Sequence, residues 1–151
     1  NANDEDHPNM AGFYNNIANV YYEQKKYTEA LDFYKKSLAV KKQHLPSNHP
    51  AIAASHNNIG NVYYDLNKYD RAMEHYQQSL QIGLKSLPGD HPDIARSYEC
   101  IGLIHEKKRE WKEALELFEK ALNIYQHAFS SQHPSVLKVK ACIQHVSSNL
   151  K

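Results

Sequence analysis

Residues 45–50 read LPSNHP, and residues 87–92 read LPGDHP. The His-Pro pair that ends both segments also stands at residues 7 and 133, so four copies follow one another at a spacing of 42 residues. Residues between these pairs repeat in the same register, for example Tyr21 with Tyr63. A repeat of this length cannot bury its own apolar face, so we expect the copies to stack and share one continuous core.

Each repeat has the pattern of two helices joined by a short turn. Pro8, Pro50 and Pro92 suit the first turn of a helix, because proline lacks the N–H that would be unpaired there. Apolar residues then recur at helical spacing, and do so again after a short polar connector. The sequence predicts seven helices and no strand, at about residues 8–23, 27–45, 50–65, 69–87, 92–107, 111–129 and 134–149.

Composition argues against several classes of partner. The formal net charge is +1 and the pI is near 7.9, so no excess of basic residues is available for nucleic acid. No stretch is apolar enough for a membrane span, and no membrane partner is expected. Cys100 and Cys142 lie at the same point of successive repeats, which is too far apart for a disulfide. Free thiols indicate a reducing compartment, and we expect a cytoplasmic protein.

No motif for catalysis or cofactor binding is present. His7, His49, His91 and His133 lie on separate loops, so they cannot converge on one metal ion and are interpreted as residues that start helices. The sequence has no phosphate-binding glycine loop, no nucleophile elbow and no Cys-x-x-Cys motif. We therefore expect no enzyme activity, no catalytic residues, no cofactor and no metal site.

The second repeat carries the residues of a known family. Ile59-Gly60 is followed by Tyr63 in the first helix, and four further residues of the pattern lie in the second helix. This pattern resembles the tetratricopeptide repeat (TPR), and its period of 42 residues resembles the form found in kinesin light chains. The second-helix residues are Tyr69, Ala72, Tyr76 and Ser79.

The resemblance implies an all-α, right-handed superhelical solenoid of three helix pairs and a C-terminal capping helix. The pairs would occupy residues 8–48, 49–90 and 91–132, and the cap residues 133–151. Residues 1–7 would be the end of a preceding connector.

Small residues predict where the paired helices come closest. We expect Gly60 to face Ala72 and Gly102 to face Ala114, because only small side chains allow a close approach there. The turns between paired helices hold Lys25, Asn67 and Arg109 where the family usually has glycine, which suggests backbone strain.

In arrays of this family the first helix of each repeat lines a concave groove. Amides dominate the groove positions of the first two repeats, although asparagine is an indifferent helix former. The pattern resembles the asparagine ladders with which kinesin light chains hold peptide backbones, and we expect replacement of these residues by alanine to leave folding nearly untouched. The predicted peptide-binding residues are Asn15, Asn16, Asn19, Tyr22, Asn57, Asn58, Asn61 and Tyr64, followed by Arg96, Leu103 and Lys138 in the more charged third repeat and cap.

Two functions remain open from the sequence. The first is a protein-protein interaction module that binds an extended peptide segment in the Asn-lined groove. The second is a structural scaffold or oligomerisation array for an attached domain, with no peptide ligand. A second copy of the chain is a further possible partner, which would associate through the ends of the solenoid.

Overall fold

The computed structural model describes residues 6–151, and within this range the regular structure is entirely helical. Helices begin and end within two residues of the predicted bounds. The assignment of residues 1–7 to a connector lies mostly outside the described residues. The helices are α1 (Met10–Glu23), α2 (Tyr27–His44), α3 (Pro50–Asp65), α4 (Tyr69–Ser86), α5 (Pro92–Lys107), α6 (Trp111–Ala128) and α7 (Pro134–Asn149).

The chain forms two compact units, Asn1–Ser86 and Leu87–Lys151. In the first unit α1 packs on α2, α2 on α3, and α3 on α4; in the second α5 packs on α6, and α6 on α7. This packing of each helix on the next confirms the predicted all-α solenoid of helix pairs. None of the helices in residues 6–151 is long and apolar enough to cross a membrane.

Three of the recurring histidines start helices as predicted, whereas α1 begins at Met10 with Asn9 directly before it, and not at His7. The Nδ1 atom of His49 accepts a hydrogen bond from the backbone N–H of Ala51 at 3.0 Å, at the start of α3. His91 and His133 do the same for α5 and α7, each at 3.1 Å. Each ring thus satisfies one of the N–H groups that the first turn of a helix leaves unpaired.

The turns between paired helices have left-handed backbone. Lys25, Asn67 and Arg109 have φ values of 59°, 60° and 59°. Side chains other than glycine and asparagine adopt this region at a cost of about 1–2 kcal/mol. The predicted strain therefore applies to Lys25 and Arg109 more than to Asn67.

In the second and third repeats, an aromatic ring of the second helix packs against a glycine of the first helix. A Cβ atom added to Gly60 would lie 2.7 Å from the ring of Tyr76, and one added to Gly102 would lie 2.8 Å from the ring of Phe118. The three atoms nearest to each added Cβ belong to these rings, so the predicted approach of Ala72 and Ala114 to the glycines stays a prediction. Both alanines are fully buried.

In the first two repeats, a buried tyrosine of the second helix hydrogen-bonds an asparagine of the first helix. The hydroxyl of Tyr76 donates to Oδ1 of Asn61 at 2.6 Å, and that of Tyr34 donates to Oδ1 of Asn19 at 2.5 Å. Both tyrosine side chains are buried. The equivalent positions of the third repeat hold Phe118 and an aliphatic residue, so the hydroxyl and its amide acceptor are replaced together.

A pair of histidines joins α3 to α4. The Nδ1 atoms of His56 and His75 lie 3.0 Å apart, and His56 is only 3% exposed. Burial, followed by the charges of His75 and Lys42, lowers the pKa of His56 to about 4. Burial also lowers the pKa of His75, and nearby Lys35, Lys42 and Arg71 add to this while Glu74 opposes it.

We expect Lys25→Gly and Arg109→Gly each to raise the free energy of unfolding by about 0.5–1 kcal/mol, because glycine relieves the left-handed strain at a smaller entropic cost. Urea denaturation measures the change. Gln24→Gly, next to Lys25 but at φ −79°, is the matched control and should lower stability. Equal effects at Gln24 and Lys25 would contradict the strain.

Contrary to the nearly neutral effect expected from the sequence, we expect Asn61→Ala to destabilise the chain by about 1–3 kcal/mol, because the buried hydroxyl of Tyr76 would lose its acceptor. The double variant Asn61→Leu with Tyr76→Phe copies the residues of the third repeat and should be more stable than Asn61→Ala alone. Thermal denaturation compares the two. A double variant less stable than the single one would show that the hydrogen bond does not determine this effect.

We expect stability to fall between pH 6.5 and about 4, because in this window the unfolded chain protonates His56 while the folded chain resists it. The contribution is fully present above pH 6.5. His56→Tyr with His75→Phe copies the Tyr14 and Phe33 of the first repeat and should reduce the loss, measured by urea denaturation at neutral and acidic pH. If this variant loses as much stability at acidic pH as the parent chain, His56 and His75 are not the cause of the loss.

Candidate functional site

Side chains of α1 and α3 meet along one surface of the first compact unit. The Nδ2 atom of Asn58 lies 3.5 Å from Oδ1 of Asn15, a long hydrogen bond. Further along, the hydroxyl of Tyr22 donates to the carboxylate of Asp65. These two contacts bring the predicted ladder residues of the two helices side by side. We call this the amide surface, and its members are Asn15, Asn16, Asn19, Tyr22, Asn57, Asn58, Asn61 and Tyr64.

The amides are unequally accessible. Asn16 and Asn19 are exposed, and Asn58 and Asn61 are half-buried. Asn57 is only 7% exposed, and its Oδ1 atom has no hydrogen-bond partner among residues 6–151. The structure therefore brings Asn15 and Asn58 into contact, and it leaves Asn57 little surface with which to contact a ligand.

Two of the amides have a defined orientation. Because Oδ1 of Asn19 and Oδ1 of Asn61 accept from buried tyrosine hydroxyls, the Nδ2 groups point away from those tyrosines. Each Nδ2 carries two N–H donors. Along α1 and α3 these two positions thus offer donors at equivalent points of successive repeats.

Aromatic side chains border the amides. The ring of Tyr22 packs edge-on against Tyr27 at 5.7 Å, and that of Tyr64 packs in the same way against Tyr69 at 5.4 Å. Burial, together with the hydrogen bond to the Asp65 carboxylate, raises the pKa of the Tyr22 phenol. Tyr22 therefore remains a neutral donor at physiological pH.

The predicted residues of the second compact unit are charged or apolar. Lys138 Nζ lies 2.7 Å from Oε1 of Glu99, and the hydroxyl of Tyr125 donates to Oε2 of the same carboxylate at 2.9 Å. Glu99 is 5% exposed, so the ammonium and the hydroxyl stabilise a buried charge. Arg96 Nη1 lies 3.7 Å from Asp93, and Leu103 is half-buried.

Burial alone would lower the pKa of the Lys138 ammonium. The hydrogen bond to Glu99 and the charge of its carboxylate outweigh this effect, and the pKa of Lys138 is raised. Lys138 is therefore a fixed positive charge whose nearest partner is already within the chain. A ligand carboxylate at this position would share the ammonium with Glu99.

The sequence interpretation did not assign Tyr34, Tyr76 or Glu99 a part in the site. A signal was present for the tyrosines, because Asn and Tyr occur together in two repeats and are replaced together in the third. For Glu99 the repeat register gives the position, since it is equivalent to Asn57, but not the partners, which lie 26 and 39 residues away on other helices. Over residues 6–151, no three histidine, cysteine or acidic side chains cluster in a way that could hold a metal ion.

Comparison with known proteins agrees with the fold of repeated helix pairs. The tetratricopeptide repeat family matches residues 4–85 and residues 94–135. No curated protein sequence matches the chain.

Solved structures are similar at low identity. The nearly identical TPR-like repeats of a kinesin light chain-like protein of Podosopora anserina have a TM-score of 0.83 and 24% identity, covering 95% of this chain and 68% of that one. BtubC (BKLC) of P. vanneervenii has a TM-score of 0.85 and 20% identity, covering 95% and 57%. Aspartyl phosphate phosphatase F of Bacillus subtilis has a TM-score of 0.83 and 20% identity, covering 95% and 36%.

The chain thus spans only part of the length of each of these proteins, and at these identities the likeness concerns the fold. The match over residues 4–85 alone covers more than half of the chain. Together with the helix pairs and the 42-residue period, it shows that the chain belongs to the tetratricopeptide repeat family, with repeats folded as in a kinesin light chain-like array.

Proposed function

We propose that the amide surface binds an extended peptide segment of a partner protein. Tetratricopeptide repeat arrays are protein-interaction modules, and the fold supports this coarser function for the chain. The observation that carries the finer proposal is the orientation of Asn19 and Asn61, whose Nδ2 donors are directed away from the buried tyrosines.

The chemistry of an extended peptide suits such a surface. Its backbone presents alternating C=O and N–H groups, and a carboxamide side chain can pair with either. Asn19 and Asn61 would donate to peptide carbonyls, the exposed Asn16 can pair with either group, and Asn58 would exchange its long hydrogen bond to Asn15 for one to the peptide. At about 0.5–1.5 kcal/mol for each net hydrogen bond, these four amides contribute about 2–6 kcal/mol at one bond each, so side-chain contacts must supply the rest of the ~8 kcal/mol of a micromolar affinity.

The remaining predicted residues would contribute differently. Tyr22 and Tyr64 offer ring faces for ligand side chains. Within the second compact unit, Leu103 would contact apolar groups, and Arg96 and Lys138 would attract acidic ones. Since Lys138 already pairs with Glu99, its net contribution to affinity should be smaller than that of an unpaired lysine.

The scaffold alternative is favoured by one observation. Phe13, Ile17 and Val20 form an apolar face of α1 and are 61%, 40% and 53% exposed. The equivalent face of α3, which packs on α2, is buried. Association of another helix with α1 would cover the exposed face, and this would serve an array that joins other domains.

We expect Asn16→Ala with Asn58→Ala to weaken peptide binding by about 1–3 kcal/mol, at about 0.5–1.5 kcal/mol for each lost bond. Linear peptides selected from a random display library against the chain serve as the probe, and isothermal titration gives the affinity. Neither amide bonds to a buried tyrosine, so thermal stability should be unchanged. Gln77→Ala, an exposed amide on α4, is the matched control.

Asn61→Asp tests the direction of the hydrogen bond. It keeps an acceptor for Tyr76 but turns a carboxylate toward the ligand, so binding should be lost while the fold remains. If Asn61→Asp and the Asn16/Asn58 variant bind the selected peptides as the parent does, the amide surface is not the site. A library that yields no binder, with a chain that self-associates in light scattering, would favour the scaffold.

A further inference from the structure

A cavity lies outside the amide surface. In the first compact unit, a partly open cavity of about 390 Å³ lies at the junction of α2, α3, α4 and the connector that follows α2. Its size is at the lower end of the range for small-molecule sites. The lining residues are Lys42, Ser47, Ile52, His56, Gln78 and Ile82.

The lining combines an apolar floor with polar walls. Ile52 is 1% exposed and Ile82 is half-buried, so most of the aliphatic surface that a ligand could contact belongs to Ile82. Ser47 and Gln78 are exposed and supply hydrogen-bonding groups on the walls. A ligand for this cavity needs an apolar body and a polar end.

One cationic side chain, that of Lys42, lines the cavity. Neither Lys42 nor Lys41 forms an ion pair with a carboxylate of residues 6–151. The ammonium of Lys41 instead donates to the neutral hydroxyl of Ser55 at 2.8 Å. The lysines complement the C-terminal dipole of α2, but a helix dipole carries only about half of one charge. The helix dipole therefore balances only part of the positive charge, and the remainder can attract an anionic group.

Cationic and metal ligands fit the site poorly. Burial and neighbouring positive charges keep His56 neutral at pH 7, and its ring already contacts His75. These two imidazoles have lysines and Arg71 as neighbours, with Glu74 as the only acidic neighbour that affects His75. A zinc ion would need further ligands that this junction does not supply.

We propose that the cavity binds a small organic carboxylate, with its carboxylate on Lys42 and Gln78 and its apolar body on Ile52 and Ile82. The neutral imidazole of His56 forms the adjacent wall. This site is separate from the amide surface, so it holds whether or not a peptide binds there. A ligand in the cavity contacts α2, α3 and α4 at once, and it should stabilise the first compact unit.

The test uses three carboxylates of increasing apolar size: acetate, isovalerate and phenylacetate. Each is titrated into the intact chain while amide signals are followed by two-dimensional NMR. We expect affinity to rise in that order, reaching a dissociation constant of about 0.1–5 mM for phenylacetate. Shifts should centre on Ile52 and Ile82. Phenylacetamide, which has the same body and no charge, and inorganic phosphate, which has charge and no apolar body, should bind more weakly.

Variants identify the site. Lys42→Met keeps the aliphatic stem of an exposed residue and should weaken phenylacetate binding about five-fold or more. Lys36→Met removes an exposed charge from the same helix outside the cavity and should leave binding unchanged. The Asn16→Ala/Asn58→Ala chain should also bind phenylacetate normally.

Four results would each overturn the proposal. They are no saturable shift with any of the three carboxylates, equal binding of phenylacetamide, unchanged binding by a folded Lys42→Met chain, and shifts confined to the amide surface. If Lys42→Met does not fold, Gln78→Leu replaces it with the same expected weakening. Since none of these results involves a peptide, they do not bear on the amide surface.

Discussion

The close approach of the two helices in each repeat is the constraint on which the rest of the structure depends. A ring from the second helix packs directly on Gly60 or Gly102, at a distance that leaves no room for a side chain. In the first repeat Ala18 occupies this position, and Tyr34 still reaches Asn19. A single Cβ can therefore be accommodated by a small shift of the ring, whereas a longer side chain would separate the helices.

This contact also couples the core to the amide surface. In the first two repeats the second-helix ring belongs to a tyrosine, and its hydroxyl orients an asparagine on the first helix. A buried hydroxyl needs an acceptor, which explains why Tyr34 and Tyr76 occur with asparagine and Phe118 occurs with Leu103. Asn19 and Asn61 thus belong both to the packing of their repeat and to the proposed binding surface.

Equivalent positions of the repeats differ most where charge is buried. Asn57 and Glu99 occupy the same register; Asn57 has an Oδ1 atom without a partner in the described range, whereas Glu99 is held by Lys138 and Tyr125. A buried amide oxygen without a bond costs far less than a buried carboxylate without one. The carboxylate therefore requires partners from two other helices, and the third repeat with the cap supplies them.

The sequence by itself determined the number, order and approximate bounds of the helices, because a 42-residue period, helical apolar spacing and His-Pro helix starts are all local in the chain. It also indicated the left-handed turns at Lys25 and Arg109, and it predicted which asparagines of successive repeats would be neighbours, as Asn15 and Asn58 are. Only the tertiary structure decided which atoms those amides offer, that Lys138 is paired with Glu99, and that a ring packs on Gly60. All three features depend on contacts between helices. The sequence offers several possible partners for each side chain, and its rotamer and its burial in the fold decide which partner it contacts.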